Sequence, residues 1–223
     1  MSARRYDAVL LDAFGTLLDL DDPVGRLQRA VAERLGRQVP REAARRAFAA
    51  EVDYYAGRCH EGRDPATLAA LRTACAAVVL DELGIEHDPA DAVVLLGDSI
   101  RYRAFDDVRP ALAGLERAGV AVAVVSNADC SLPDMLRAAG LGLERVFSSA
   151  VTGFSKPDPG IFRAALRALG VPAGRALHVG DTPAADGKGA RAAGVDVRII
   201  DRSGAAGGPD TIASLTEILE LVR

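Results

Sequence analysis

The sequence predicts a doubly wound α/β protein built on a parallel sheet and interrupted early by an all-helical segment. Three observations carry this. Short β-rich apolar runs, each ending in small polar residues, alternate with Ala/Leu/Arg stretches of helical character, which is the pattern of βαβ units. A recurring small-residue punctuation at Gly119, Gly140, Gly170 and Gly194 closes the helical stretches before the chain turns toward the next strand. Between about Asp21 and Arg103 the strand runs disappear and long helical patterns take their place.

In chain order, the first strand is expected at Ala8 to Asp12. Helical patterns then open at Pro23, Pro40, Pro65 and Pro89, positions where proline suits a first helical turn. In the third of these, Leu68, Leu71, Cys75, Val78 and Val79 recur at helical spacing and form an apolar packing face. Later strands are expected at Ala121 to Ser126, Arg145 to Ser149, Ala176 to Gly180 and Asp196 to Ile200. The segment Gly204 to Pro209 reads as a surface loop. A last amphipathic helix is expected to turn Ile212, Leu215, Ile218, Leu219 and Val222 inward. The expected division is a Rossmann-like core of residues 1–20 and 104–223, with residues 21–103 as a helical cap over the carboxyl ends of the strands.

Composition excludes several classes. A chain of 223 residues, 49% hydrophobic and 26% charged, is long enough for a sizeable core. Its net charge of −4 leaves no basic footprint for nucleic acid. The apolar run Ala8 to Leu11 is too short for an export signal, so no membrane association and a cytoplasmic location are expected. Cys59, Cys75 and Cys130 are odd in number and share no ligand spacing, which argues against disulfides and against zinc.

Only two of the 27 lysines and arginines are lysine, and Lys156 is one of them, in Ser155-Lys156-Pro157-Asp158-Pro159. Retaining a compact ammonium in an arginine-rich chain suggests a point charge at a crowded place, although chance also supplies single lysines. Strand ends deliver further polar groups to one edge of the sheet: Asp12 after the first, Ser126 and Asn127 after the second, Asp181 after the fourth, with Asp186 close behind. Position alone also suits Asp181 to helix capping and Ser126 to a strand-end turn. Two or three adjacent carboxylates repel unless a cation intervenes. All-oxygen ligation with few protein ligands points to Mg²⁺ shared with a substrate phosphate.

At these residues the sequence resembles the haloacid dehalogenase-like (HAD) hydrolase superfamily, in the branch with a helical cap after the first strand. Asp12-Ala13-Phe14-Gly15-Thr16-Leu17 resembles its first motif, Ser126-Asn127 its second, Lys156-Pro157 its third, and Gly180-Asp181 with Asp186 its fourth, all in order along the chain. The resemblance implies Asp12 as a nucleophile forming a covalent aspartyl intermediate, and a Mg²⁺ ion held by Asp12, the Phe14 carbonyl and Asp181. It also implies Thr16, Ser126, Asn127 and Lys156 as the groups that bind the transferring moiety, with Asp186 supporting the metal shell or orienting Lys156. Like-charge repulsion between a carboxylate nucleophile and a phosphate dianion makes a cation at Lys156 and at the metal position chemically necessary.

The pattern is broken at Phe14, where phosphatases of this superfamily carry an aspartate general acid. General acid catalysis typically contributes about 10²- to 10⁴-fold, so either another group protonates the leaving oxygen or the leaving group needs no proton. An aromatic residue here is similar to the first motif of 2-haloacid dehalogenases, whose fourth motif, however, carries Ser-Asn in place of Gly180-Asp181. The lysine-dependent phosphonate branch is excluded, since no lysine precedes Lys156. His60 lies in a cap segment rich in tyrosine and arginine that offers possible substitutes for the acid but reads equally as a solvated interhelical loop, and no catalytic role is assigned to it. His87 reads as a surface turn and His178 as a satisfied core histidine. The expected function is a Mg²⁺-dependent phosphatase acting on a small phosphorylated metabolite, as monomer or homodimer. A 2-haloacid dehalogenase and a catalytically weak phospho-ligand binder are the alternatives.

Overall fold

The computed structural model describes residues 4–86, 88–204 and 207–222, so His87 and part of the expected loop at Gly204 to Pro209 lie outside the described residues. The chain begins with β1 (Ala8–Leu11) and the short β2 (Leu18–Leu20). Four helices follow: α1 (Pro23–Leu35), α2 (Arg41–Arg58), α3 (Pro65–Glu82) and α4 (Pro89–Ser99). Next come β3 (Tyr102–Ala104), α5 (Val108–Arg117), β4 (Ala121–Ser126), α6 (Leu132–Ala138) and β5 (Val146–Ser148). The single turn α7 (Ser149–Thr152), α8 (Pro159–Leu169) and β6 (Ala176–Gly180) lead to a π-helical turn at Pro183–Gly187. The chain closes with α9 (Lys188–Ala192), β7 (Asp196–Ile200), β8 (Thr211–Ile212) and α10 (Ile218–Leu221).

Two compact units result: Met1–Asp19 with Ala104–Arg223, and Leu20–Arg103. In the first, six parallel strands are ordered β5-β4-β1-β6-β7-β8. From the central β1 the chain builds outward through β4 and β5, then crosses back to β6, β7 and β8, which is the doubly wound arrangement. All four β1 residues are buried, because a strand covered on both faces must be a continuous apolar run. Leu10, Val125, Ile161, Phe162 and Leu166 belong to one buried cluster of this unit. Register places Leu11 opposite Val124 and Val179, so the residues following β1, β4 and β6 emerge at a common edge.

Four expected boundaries move: β1 ends at Leu11 instead of Asp12, β5 begins at Val146 instead of Arg145, and two further changes have a visible cause. The strand expected to run to Ser149 stops at Ser148, whose hydroxyl accepts the Val151 amide at 3.3 Å and starts α7. The last helix does not begin near Ile212. That residue pairs with Ile200 as part of β8, and helical structure starts only after Ser214, where Ser214 and Glu217 form a reciprocal capping box. Ile212, Leu215, Ile218 and Val222 are nonetheless all buried.

The helical unit is set by its caps. Asp22-Pro23, Asp64-Pro65 and Asp88-Pro89 each place an aspartate at the N-cap, accepting from Gly25, from Ala66 and Thr67, and from Ala90, with proline in the first turn. The core of this unit gathers Leu27, Val31, Phe48, Leu71, Cys75, Val79, Leu80, Leu95 and Leu96. Of the expected α3 face, Leu68, Leu71, Cys75 and Val79 are buried and Val78 is half-buried. Among the described residues no helix is long and apolar enough to cross a membrane.

One carboxylate interrupts that core. Glu51 on α2 is only 5% exposed, and burial pushes its pKa up to about 7 against the opposing effect of a hydrogen bond with Cys75. A carboxyl whose folded pKa exceeds its unfolded value lends stability fully below pH ~4.5 and loses it as pH rises through about 7. Glu51→Gln is therefore expected to leave acid stability unchanged and to raise stability at pH 8 by on the order of 2–3 kcal/mol. Thermal denaturation of both proteins at pH 4.5 and pH 8 measures this.

Candidate active site

The common edge of the sheet collects the polar groups. Asp12 is the first residue beyond β1, its amide donating to the Val179 carbonyl at 2.9 Å, and it is 5% exposed. Lys156, in the loop before α8, places Nζ 2.7 Å from Asp12 Oδ1 and 2.6 Å from Asp186 Oδ1. The Asp12 contact is a buried ion pair, with the Lys156 ammonium as the close partner of Asp12 Oδ1. Burial by itself pulls the Lys156 ammonium down, but the charges of Asp12 and Asp186 overcome it and leave its pKa raised. Lys156 is thus a buried cation.

Asn127, just past β4, holds this lysine from the backbone. Its Oδ1 accepts from the Lys156 amide at 2.7 Å and its Nδ2 donates to the Lys156 carbonyl at 3.0 Å. Both polar atoms of the Asn127 side chain are thus bonded to the Lys156 backbone. Ser126 is buried at the end of β4, opposite Ser148.

The fourth segment supplies two carboxylates of different character. Asp186 is fully buried inside the π-helical turn, a distortion often found at functional sites. Its Oδ1 accepts from Lys156 Nζ and stands 2.8 Å from His178 Nε2, and its Oδ2 accepts from the Thr182 amide at 3.0 Å. Burial pushes this carboxyl up, yet the His178 hydrogen bond and the Lys156 charge outweigh it and hold Asp186 well below the usual range. Asp181 lies more openly and accepts from the Thr182 hydroxyl at 3.0 Å. Its pKa is raised, by burial first and then by the negative charge of Asp12. It does not cap the helical turn after it: Thr182 occupies the cap position, with no side-chain cap bond.

The loop between β1 and β2 completes the edge. Phe14 makes a backbone bridge to Leu18, and Gly15 takes a φ of 71°. A Cβ on Gly15 would stand 2.3 Å from Asp181 Oδ2, so this position demands glycine for both conformation and space. Thr16 is fully buried, and its hydroxyl lacks a partner. A buried hydroxyl without a partner, four residues after a buried carboxylate, suits a site arranged for a ligand.

Ligand-capable oxygens of Asp12, Asp181 and Asp186 lie within 4.8 Å of one another. With the Asp186 oxygens engaged by Lys156, His178 and the Thr182 amide, the pair left for a cation is Asp12 and Asp181. Asp181, raised by burial and then by the charge of Asp12, and the adjacent Asp12 carboxylate fit a hard divalent ion held by few protein ligands.

His178, a satisfied core histidine as expected, also reaches Asp186, while its Nδ1 lies 3.0 Å from the Leu10 carbonyl and its ring packs edge-on to Phe162 at 4.9 Å. Its signal in the sequence was a polar residue two positions before Gly180 in an otherwise apolar strand. Arg202 is a further residue at this edge that sequence reading missed. It follows β7 as Asp12, Asn127 and Asp181 follow their own strands, and it donates to the Gly15 and Thr16 carbonyls.

A family model described as haloacid dehalogenase-like hydrolase matches residues 6–194. A phosphoserine phosphatase of Thermus thermophilus is 41% identical over 108 residues, covering 46% of this chain and 42% of that protein. The chain thus spans about two fifths of the length of that relative. An (S)-2-haloacid dehalogenase of Pseudomonas sp. (strain YL) is 29% identical over 203 residues, covering 88% of this chain and 83% of that protein. Among solved structures, a defluorinating L-2-haloacid dehalogenase superposes with a TM-score of 0.77 at 24% identity, covering 97% of this chain and 95% of that one. That likeness speaks to the fold.

Proposed function

The chain belongs to the haloacid dehalogenase-like hydrolase family, and from that membership we propose that it is a Mg²⁺-dependent phosphatase acting on a small phosphorylated metabolite in the cytoplasm. One observation carries the choice. Lys156 pairs with Asp12 and Asp186, a third carboxylate, Asp181, lies in the same cluster, and Asp181, raised by burial and then by the charge of Asp12, has no role in displacing a halide. An Asp12–Asp181 pair suits a cation and a phosphate together.

In this reading Asp12, Asp181 and the Phe14 carbonyl would hold Mg²⁺, which would supply charge neutralisation for the transferring phosphoryl oxygens. An Asp12 oxygen attacks phosphorus while the bond to the leaving oxygen breaks and that oxygen departs with the electron pair, giving an Asp12 aspartyl phosphate. Water then attacks phosphorus and restores the carboxylate, releasing inorganic phosphate. Lys156 neutralises charge on the transferring group, and Thr16, Ser126 and the Asn127 segment receive its oxygens. Asp186 orients Lys156 and supports the metal shell from behind. Residues 21–103 act as a cap that selects the substrate.

Phe14 cannot transfer a proton, so departure depends on the leaving group itself. Turnover is expected to fall steeply as leaving-group pKa rises, with aryl and acyl phosphates hydrolysed well and simple alkyl phosphates poorly. Equal rates across such a series would show that another residue, such as His60, acts as the acid.

A second reading has its own support. The long alignment to an (S)-2-haloacid dehalogenase and the aromatic residue at position 14 suit halide displacement by Asp12, which needs no proton and no metal. A panel of phosphorylated metabolites and 2-haloacids, each with Mg²⁺ and with EDTA, separates the two. Phosphate release that requires Mg²⁺ supports the first; chloride release in EDTA supports the second.

A further inference from the structure

We propose that Arg202 is the positioning residue of the nucleophile loop, a guanidinium clamp that fixes the Gly15–Thr16 backbone. Nε donates to the Gly15 carbonyl at 3.2 Å and Nη2 to the Thr16 carbonyl at 2.5 Å. Nη1 donates to both oxygens of Asp107 at 3.0 Å. The guanidinium carbon also lies 3.7 Å from the centroid of the Phe105 ring. With all three nitrogens occupied and one face covered, the group has one orientation.

Its anchor is itself held. Asp107 Oδ2 accepts from the Leu215 amide at 2.7 Å and from the Ser214 hydroxyl at 3.0 Å. Burial would push the Asp107 carboxyl up, but Arg202 and these donors hold it below its ordinary value. The clamp grips both places where the chain leaves and re-enters the core: Gly15 and Thr16 precede β2, and Phe105 and Asp107 follow β3. Between them the Phe105 amide donates to the Leu17 carbonyl at 3.2 Å.

The consequence lies in the loop between Asp12 and β2. Gly15 backs directly onto Asp181, and Thr16 carries the buried hydroxyl without a partner. Securing the two carbonyls from outside leaves the Thr16 hydroxyl free for a ligand and keeps Gly15 from drifting against Asp181. The Phe14 carbonyl, one residue earlier, is oriented by the same restraint. A misplacement of about 1 Å in such a loop is enough to cost roughly 10²-fold in rate. Lysine cannot replace the fork, since a single ammonium cannot reach the Gly15 carbonyl, the Thr16 carbonyl and the Asp107 carboxylate with separate donors in fixed directions.

This rests on Asp12 being the nucleophile of the proposed function, but not on which leaving group it displaces. The test uses Arg202→Ala and Arg202→Lys in the full chain, with kinetics on whichever substrate class the wild type turns over. Hydrogen exchange of amides 13–18 is read alongside. The expected result is a kcat lower by about 10²-fold in both variants with KM changed less than about threefold, and faster exchange confined to that loop. Guanidinium at low millimolar concentration should restore at least tenfold of the Ala variant's kcat, and methylammonium should not. Wild-type kcat in the Ala variant, restoration by lysine, or unchanged exchange in residues 13–18 overturns the assignment. If the wild type turns over neither phosphates nor haloacids, the proposed function fails while the exchange measurement still decides the clamp.

Discussion

Replacing Asp12 by asparagine is expected to lower turnover by about 10⁴-fold or more while leaving the protein folded. Asparagine keeps the shape of the side chain and removes the anionic oxygen that would attack. The stability effect is small because two terms oppose each other. Lys156 loses one of its two buried counter-charges but keeps Asp186 at 2.6 Å, and Asp181 is relieved of the negative charge that helps to raise it. Steady-state kinetics with a reactive aryl phosphate, together with thermal denaturation, check both halves. Retained turnover in this variant would overturn the assignment of the nucleophile.

Lys156→Met should damage both turnover and stability. The side chain is 3% exposed between Asp12 and Asp186. Methionine fills most of the same volume and leaves two carboxylates facing one another without a cation. Removing one partner of a buried, hydrogen-bonded charge set costs about 3–5 kcal/mol. The loss of a preorganised charge aimed at the reacting group adds about 10²- to 10³-fold in kcat. Chemical denaturation reads the first number and kinetics the second. Lowering the pH should narrow the stability gap, because protonating the stranded carboxylates of the variant removes their repulsion. A gap that is constant from pH 4 to pH 8 contradicts the electrostatic account of this site.

Much of the fold was legible because its signals are local. The strands at Ala121–Ser126, Ala176–Gly180 and Asp196–Ile200 have the expected bounds, since short valine-, leucine- and isoleucine-rich runs followed by Ser-Asn, Gly-Asp or Asp-Arg leave little freedom in where a buried strand stops. Helix starts were legible through Asp-Pro pairs that combine a cap with a fixed φ. The last helix was not, because Ile212, Leu215, Ile218 and Val222 satisfy a helical spacing while the first of them is needed by a neighbouring strand. Only the pairing with Ile200 decides that, and pairing is not a local property.

The carboxylates and Lys156 were legible as types at strand ends, but their partnerships were not. That Asn127 would spend its amide on the Lys156 backbone, that His178 would reach Asp186, or that Arg202 would grip Gly15 depends on distances between residues 29, 8 and 187 positions apart. The sequence separates the polar residue that carries chemistry from the one that aims it only when both announce themselves at strand ends. Arg202 did so, after the fifth strand, in a chain where one arginine among many draws no notice.

Phosphoryl transfer at this site requires Asp12 to acquire a phosphoryl group in the presence of Mg²⁺. Rapid acid quench of the enzyme turning over an aryl phosphate, followed by tandem mass spectrometry of the peptide containing Asp12, measures this directly. A phosphoryl adduct on Asp12 is expected with Mg²⁺ and is expected to be missing when EDTA is present. An unmodified Asp12 under Mg²⁺, together with an ester adduct on the same residue after exposure to 2-chloropropionate in EDTA, would contradict phosphoryl transfer.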